Sequence, residues 1–316
     1  MKRLCWVIAG WLLISALAQA EDAFSWLQKM NQASRSLSFS GIFVYQSQGR
    51  TESSRIARLI DGAGEHERLE TLEGTPREVI RFNEDVRCYL PAEKLIVLDR
   101  AILARQPGRL VSKAAALGEI YDAKLTGSGR IAGRDARIVN LTPRDEWRYG
   151  HELWIDAATG LLLKARLLTG DAGLVEQFSF MEMAPGADFD HEQLRARSSP
   201  TDAWRVINAA GESVSPEEIP WVFRKLPAGF KQVSLVRRKL HADGAAAIHA
   251  AFSDGLANVS VFIEPTSGRS SQNMPHSTGA VGIYRRLAGS YQVTAMGEVP
   301  VAALKRVAEG VEQRRK

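Results

Sequence analysis

The chain has 316 residues, 45% of them hydrophobic, and a formal net charge of +5. That hydrophobic share is enough to bury the cores of two domains. The charge is too mild to single out nucleic acid as a partner, and two cysteines are too few for a disulfide-stapled scaffold.

Met1-Lys2-Arg3, the apolar run from Leu4 to Leu17, and Ala18-Gln19-Ala20 have the basic start, apolar core and small-x-small end of a secretory signal. Residues 1–20 are read as a signal peptide rather than a membrane anchor, because the apolar run is short for a span. Cys5 lies at the front of this run, where it is not placed to become a lipid-modified N-terminus. Cleavage leaves 296 residues, a net charge of +3 once Lys2 and Arg3 are gone, and Cys88 as the sole cysteine. With no internal disulfide, stability has to come from core burial. The residual charge fits either acidic partners such as lipid phosphates or a solvated basic surface. No later segment reaches the ~18 uninterrupted apolar residues of a transmembrane helix. Leu95 to Leu103 comes closest and is broken by Asp99-Arg100. The mature protein is expected to be soluble and outside the cytoplasm.

Asp22 to Leu37 reads as an amphipathic helix, with Asp22 as N-cap and Phe24, Leu27, Met30 and Leu37 near one stripe. Strand-like runs follow at Phe39 to Tyr45, Thr51 to Ile60, Glu65 to Thr71, Arg77 to Asn83 and Val86 to Leu90. A second helix is expected over Leu110 to Leu117. Gly127 to Gly133 resembles a dinucleotide loop, but the spacing is one residue too long and a strand follows, so it is read as a turn. Four more runs succeed one another at Arg137 to Leu141, Glu152 to Ile155, Leu161 to Leu168 and Leu174 to Phe180. Their connections, Asp156 to Gly160 and Thr169 to Gly173, suit tight turns with glycine at positive φ. Connections this short require antiparallel pairing. Nine or so strands exceed a comfortable flat sheet, so residues 21–195 are expected to form an unclosed antiparallel β-barrel covered by helices. An apolar cavity would lie between its concave face and those helices.

Residues 196–220 have linker composition, interrupted by Trp204 and Val206-Ile207. Residues 221–316 reset the pattern with strand-like runs at Trp221 to Lys225, Lys231 to Leu240, Ala246 to Ser253, Asn258 to Glu264, Ala280 to Leu287 and Tyr291 to Gly297. Pro300 opens a closing helix striped by Val301, Leu304, Val307, Ala308 and Val311. This predicts a smaller α+β domain, with a polar, mobile loop at Pro265 to Pro275.

No catalytic constellation emerges. The six histidines show no H-x-H or H-E-x-x-H spacing, so neither a metal site nor a cofactor is expected. There is no G-x-S-x-G elbow and no P-loop. His249 with Ser253-Asp254 could pass for a hydrolytic set, but turn chemistry explains Ser-Asp-Gly. Cys88 is read as a small, buried apolar residue. A binding protein is the better reading than an enzyme.

The motifs FSGIFVY (Phe39 to Tyr45), RLETLEG with REVIR (Arg68 to Arg81) and GRDARIVNLTPRDEWRYGHELWIDAATGLLLKARLL (Gly133 to Leu168) occur in the first domain. LPAGF (Leu226 to Phe230), FSDGLANVSVFIEP (Phe252 to Pro265) and MGEVP (Met296 to Pro300) occur in the second. In this order they resemble the RseB/MucB family of periplasmic regulators of the sigma-E (AlgU-type) envelope stress response. The resemblance implies a first domain similar to the lipoprotein carriers LolA and LolB, and a non-catalytic activity. It further implies binding to the periplasmic domain of a membrane-spanning anti-sigma factor (RseA/MucA-like), shielding from the site-1 protease, and displacement by lipopolysaccharide or a similar lipid. A periplasmic lipid or lipoprotein carrier is the alternative, and homo-oligomer formation stays open. Strand alternation nominates Phe43, Tyr45, Leu153, Ile155, Leu161 and Leu163 as lipid-binding candidates, with Lys164 and Arg166 pointing away. Arg285, Arg286, Gly297, Glu298 and Val299 are the partner-binding candidates. The two domains are expected to move relative to each other, with lipid favouring an arrangement that the partner cannot bridge.

Overall fold

The computed structural model describes residues 22–100, 110, 114–186, 191–198, 201, 203–239, 245–266, 276–278 and 280–314. The signal-peptide expectation and most of the Pro265 to Pro275 loop lie outside them.

Helix α1 (Ala23–Ser36) begins where predicted, with the Asp22 carboxylate accepting from Ser25 N at 2.6 Å. It buries Trp26, Leu27 and Met30 against the sheet. Leu27 and Met30 are essentially inaccessible, and burial of each contributes about 1.5–3 kcal/mol. The strands of the first domain are β1 (Phe39–Ser47), β2 (Arg50–Asp61), β3 (Gly64–Thr71), β4 (Glu78–Phe82), β5 (Asp85–Leu90), β6 (Leu95–Arg100), β7 (Tyr121–Ile131), β8 (Arg134–Pro143), β9 (Gly150–Asp156), β10 (Leu162–Leu168) and β11 (Leu174–Pro185). With β12 (Arg205–Asn208) they form a twelve-stranded sheet ordered β12-β6-β5-β4-β3-β2-β1-β11-β10-β9-β8-β7. The end strands do not pair with each other, so the sheet is open, as expected. Two antiparallel meanders meet at β1, which pairs with β2 on one side and β11 on the other.

The Asp156–Gly160 turn follows its sequence chemistry. Gly160 has φ +84°, its N–H donates to Asp156 O at 2.9 Å, and the Asp156 carboxylate accepts from Thr159 N. In the next turn the positive φ falls on Ala172 (φ +62°), not on a glycine. Gly127 to Gly133 is mostly strand: β7 runs on to Ile131 with a bulge at Leu125/Gly127, and only Ala132-Gly133 turns. Trp154 explains the small residue there, because a Cβ on Gly129 would come within 3.3 Å of its indole nitrogen. Of the helix predicted at Leu110 to Leu117, residues 111–113 lie outside the described residues, and Ala114 to Leu117 belong to a 3₁₀ turn over Ala114–Glu119. Leu110 N donates to Asn31 Oδ1 and Leu110 O accepts from Arg35, both at 3.1 Å, so α1 takes up the backbone groups a helix start would use.

The stretch read as a linker carries paired strands. β12 adds in parallel to β6, and β13 (Glu212–Ser213) pairs with β15 (Lys231–Lys239) of the second domain. That domain continues with β14 (Trp221–Phe223), β16 (Ala246–Ser253), β17 (Asn258–Pro265), β18 (His276–Thr278), β19 (Val281–Ala288), β20 (Tyr291–Gly297), α2 (Val301–Glu309) and β21 (Val311–Gln313). Its main sheet is ordered β13-β15-β16-β17-β20-β19-β18. Pro300 is the N-cap rather than the first helical residue, and Val311 leaves the helix to pair β21 with β14. Gly310 permits that turn, since a Cβ there would meet Lys225 N at 2.6 Å. Leu304 and Val307 of α2 are buried in one core with Val261, Ala295 and Phe252.

Candidate functional site

The inner face of the first sheet is a packed interior. Leu153, Ile155 and Leu163 are buried, and the first two share a cluster with Trp26, Leu27 and Met30 of α1. Leu161 joins a second cluster with Phe39, Ile56 and Phe180. Leu162 is buried too, because a bulge between Leu162 and Lys164 breaks the strict alternation assumed from sequence. Lys164 and Arg166 do point away, over the Trp154 ring and onto Glu152. Phe43 packs at 4.9 Å from Phe178 and 5.8 Å from Phe180. Tyr45 donates its hydroxyl to Glu176, and burial, Glu176 and Glu298 together raise its pKa.

The other partner candidates divide by environment. Arg285 is exposed, whereas Arg286 donates to Ala308 O at 2.8 Å and Val311 O at 2.5 Å, capping the end of α2. Val299 is buried in the second core. Gly297 sits so close to Asn258 that an added Cβ would lie 2.2 Å from its carbonyl oxygen.

A feature that sequence reading missed lies between the domains. The β8–β9 loop carries Arg148, whose guanidinium is held by Asp145 through two contacts of 2.9 Å. The same group donates across the junction to Asp254 Oδ2 at 2.6 Å and Ala228 O at 2.7 Å, and lies over the Phe230 ring. The Arg148 and Asp254 side chains are both fully buried. Burial alone would depress Arg148, but Asp145 and Asp254 outweigh it and keep the guanidinium charged. Burial pushes the Asp254 carboxyl up, against Leu256 N–H, Arg148 and Ala257 N–H. Arg238 of β15 adds a second cross-domain contact, 3.3 Å from Asp99 of β6.

Next to this junction, Trp147 stacks under Arg306 of α2 at 4.9 Å. Together with Lys225, Ala302, Lys305 and Glu309 they line an open groove of about 510 Å³, walled by both domains and rich in cations. A larger cavity of about 640 Å³ lies elsewhere, over β4 and β5, lined by Ile80, Phe82, Tyr89 and Leu194 among others. None of the six lipid candidates lines either space. His249 contacts Ser260 at 3.0 Å and Arg238 at 3.4 Å, so its partners are not Ser253 and Asp254. Cys88 is a half-buried free thiol in β5, its pKa raised by burial.

The fold thus defines a two-domain, mainly β protein: an open sheet under a helix, joined to a smaller sheet-and-helix unit through a buried charged junction. The MucB/RseB N-terminal domain model matches residues 22–198, and the MucB/RseB C-terminal domain model matches residues 215–312. The chain belongs to the MucB/RseB family. It is 34% identical over 309 residues to the sigma factor AlgU regulatory protein MucB of Pseudomonas aeruginosa, covering 96% of this chain and 94% of that protein. The sigma-E factor regulatory protein RseB of Escherichia coli K12 is 27% identical over 310 residues, covering 97% and 96%. The crystal structure of MucB in complex with MucA(peri) superposes with a TM-score of 0.72 at 30% identity, over 93% of this chain and all of that one. A further crystal structure of MucB gives 0.68 at 31% identity, over 92% and 98%. Among the described residues, no helix is long and apolar enough to cross a membrane.

Proposed function

We propose that this protein acts in the periplasm as a negative regulator of a sigma-E-type stress response. It binds the periplasmic domain of a membrane-spanning anti-sigma factor, shields it from site-1 proteolysis, and lets go when lipopolysaccharide-type lipid appears. The activity is binding rather than catalysis. The observation that carries this reading is the match, over nearly the whole chain, to MucB solved with MucA(peri). The groove between Trp147 and α2 supports it, because a peptide lying there would touch both domains and its acidic groups would meet Lys225, Lys305 and Arg306. Exposed Arg285 remains in this proposal, while Arg286, Gly297 and Val299 act by shaping the second domain.

The lipid enters the proposal through the inner face of the first sheet. Leu153, Ile155, Leu161 and Leu163 are packed, so an acyl chain would have to lift α1 to reach them. A dedicated carrier is the weaker reading for the same reason. Calorimetric titration of the mature protein with the anti-sigma periplasmic domain tests the partner: saturable binding supports the proposal, and no heat at micromolar concentrations rejects it.

A further inference from the structure

We propose that Asp61, His66 and His191 form a binding site for a zinc-like divalent metal ion. The three residues come from different elements. Asp61 ends β2, His66 lies in β3, and His191 opens the 3₁₀ turn His191–Leu194. Their spacing in sequence gives no ligand signature, because 125 positions separate the two histidines. The fold nevertheless brings one ligand atom from each within 4.8 Å of the others.

The two imidazoles flank one carboxylate, each beside a different oxygen of Asp61. His66 Nε2 lies 3.3 Å from Asp61 Oδ1, and His191 Nε2 lies 3.5 Å from Asp61 Oδ2. Ligands at 2.0–2.1 Å from a tetrahedral ion stand about 3.3–3.4 Å apart. The remaining histidine pair closes by rotation of His191, whose side chain is 61% exposed. Asp61 is already oriented, since Oδ1 accepts from Ala63 N at 2.8 Å and Gly64 N at 3.1 Å.

A second, independent observation points to a ligand. His66 Nε2 is buried, and its contact with Asp61 Oδ1 at 3.3 Å is not a well-aligned hydrogen bond. A buried polar atom normally finds a partner, and a coordinated cation would supply one where the hydrogen-bond angle does not. Two imidazoles and a carboxylate suit zinc, with copper(II) and nickel(II) as competitors, and they leave a fourth position for water. Both histidines also line the 640 Å³ cavity, so that position has solvent access. The ion would fasten the 191–198 segment to the β2–β3 hairpin, beside the contacts that Arg197 N and Ser198 N already make with Glu78.

The test uses tag-free mature protein stripped with EDTA. Zinc is titrated in competition with a chromophoric chelator, and cobalt(II) reports geometry through its visible absorption. The expected result is one equivalent bound, an intense tetrahedral cobalt band, and affinity at least about 10-fold weaker in His66→Gln and in His191→Gln. His191→Gln changes an exposed side chain, so it remains informative if His66→Gln misfolds. Cys88→Ser should bind as tightly as the parent chain. No binding at 100-fold molar excess of zinc, parent-like affinity in both histidine variants, or loss of binding in Cys88→Ser would each overturn the site.

Discussion

Arg148 of the first domain and Asp254 of the second meet 2.6 Å apart, and water reaches neither side chain. Domains with independent cores tend to move against each other, but separating these two would break this charged hydrogen bond and the one from Arg148 to Ala228 O. Truncating one partner, as in Asp254→Ala, should cost about 3–5 kcal/mol of unfolding free energy. The double replacement Arg148→Met with Asp254→Leu should cost less than the two single changes added together. Denaturant unfolding of the four proteins measures this coupling, and strict additivity would mean that the pair does not hold the junction.

His249 is buried against Phe262 and Ser260, and burial, with Arg238 nearby, lowers its pKa to about 4. The unfolded chain, with an ordinary value of 6.5, binds the proton first. The folded state is therefore penalised as pH falls from 6.5 towards 4, by about 1–2 kcal/mol at pH 5. His249→Gln should flatten the pH dependence of unfolding free energy in that window. An unchanged slope would show that His249 takes up no extra proton on unfolding.

Glu78 gives the opposite kind of acid sensitivity. Burial opposes its ionisation, but Arg68 and the backbone at Ser198 and Arg197 win and lower its pKa to about 2 from 4.5. Its stabilisation is fully present above pH 4.5 and disappears as pH falls towards 2. Glu78→Gln should cost on the order of 3 kcal/mol at pH 7 and progressively less below pH 4.5, as thermal melts at several pH values would record. A cost that does not shrink with pH would assign the effect to shape rather than charge.

The lipid proposal predicts where an acyl chain goes. A photoreactive lipid A analogue should label peptides from α1 and from the strands that carry Leu153, Ile155, Leu161 and Leu163, identified by mass spectrometry. Labels confined to the second domain would remove the inner face from the account.

Local chemistry made much of the fold legible. Asp22 marks a helix start, Asp156 to Gly160 marks a hairpin, and alternating runs mark strands, because each signal lies within a few residues. What escaped depends on distant partners. β12 looked like linker because it pairs with β6, about 110 positions earlier in the chain. β7 looked like a turn because of its glycines, of which Gly129 makes room for Trp154. The alternation that nominated Leu161 and Leu163 missed the bulge that buries Leu162 beside them. Asp254 showed only its turn role in sequence, while its other carboxylate oxygen serves Arg148 across the junction. His66 and His191 likewise have no sequence spacing that announces their proximity.

The most direct measurement is the cleavage rate of the anti-sigma periplasmic domain by the site-1 protease, with and without saturating mature protein. Markedly slower cleavage is expected with the protein present, with recovery on adding lipopolysaccharide and weaker protection by Lys305→Glu/Lys225→Glu, which reverses charge in the junction groove. Equal cleavage rates with and without the protein would contradict the proposed function.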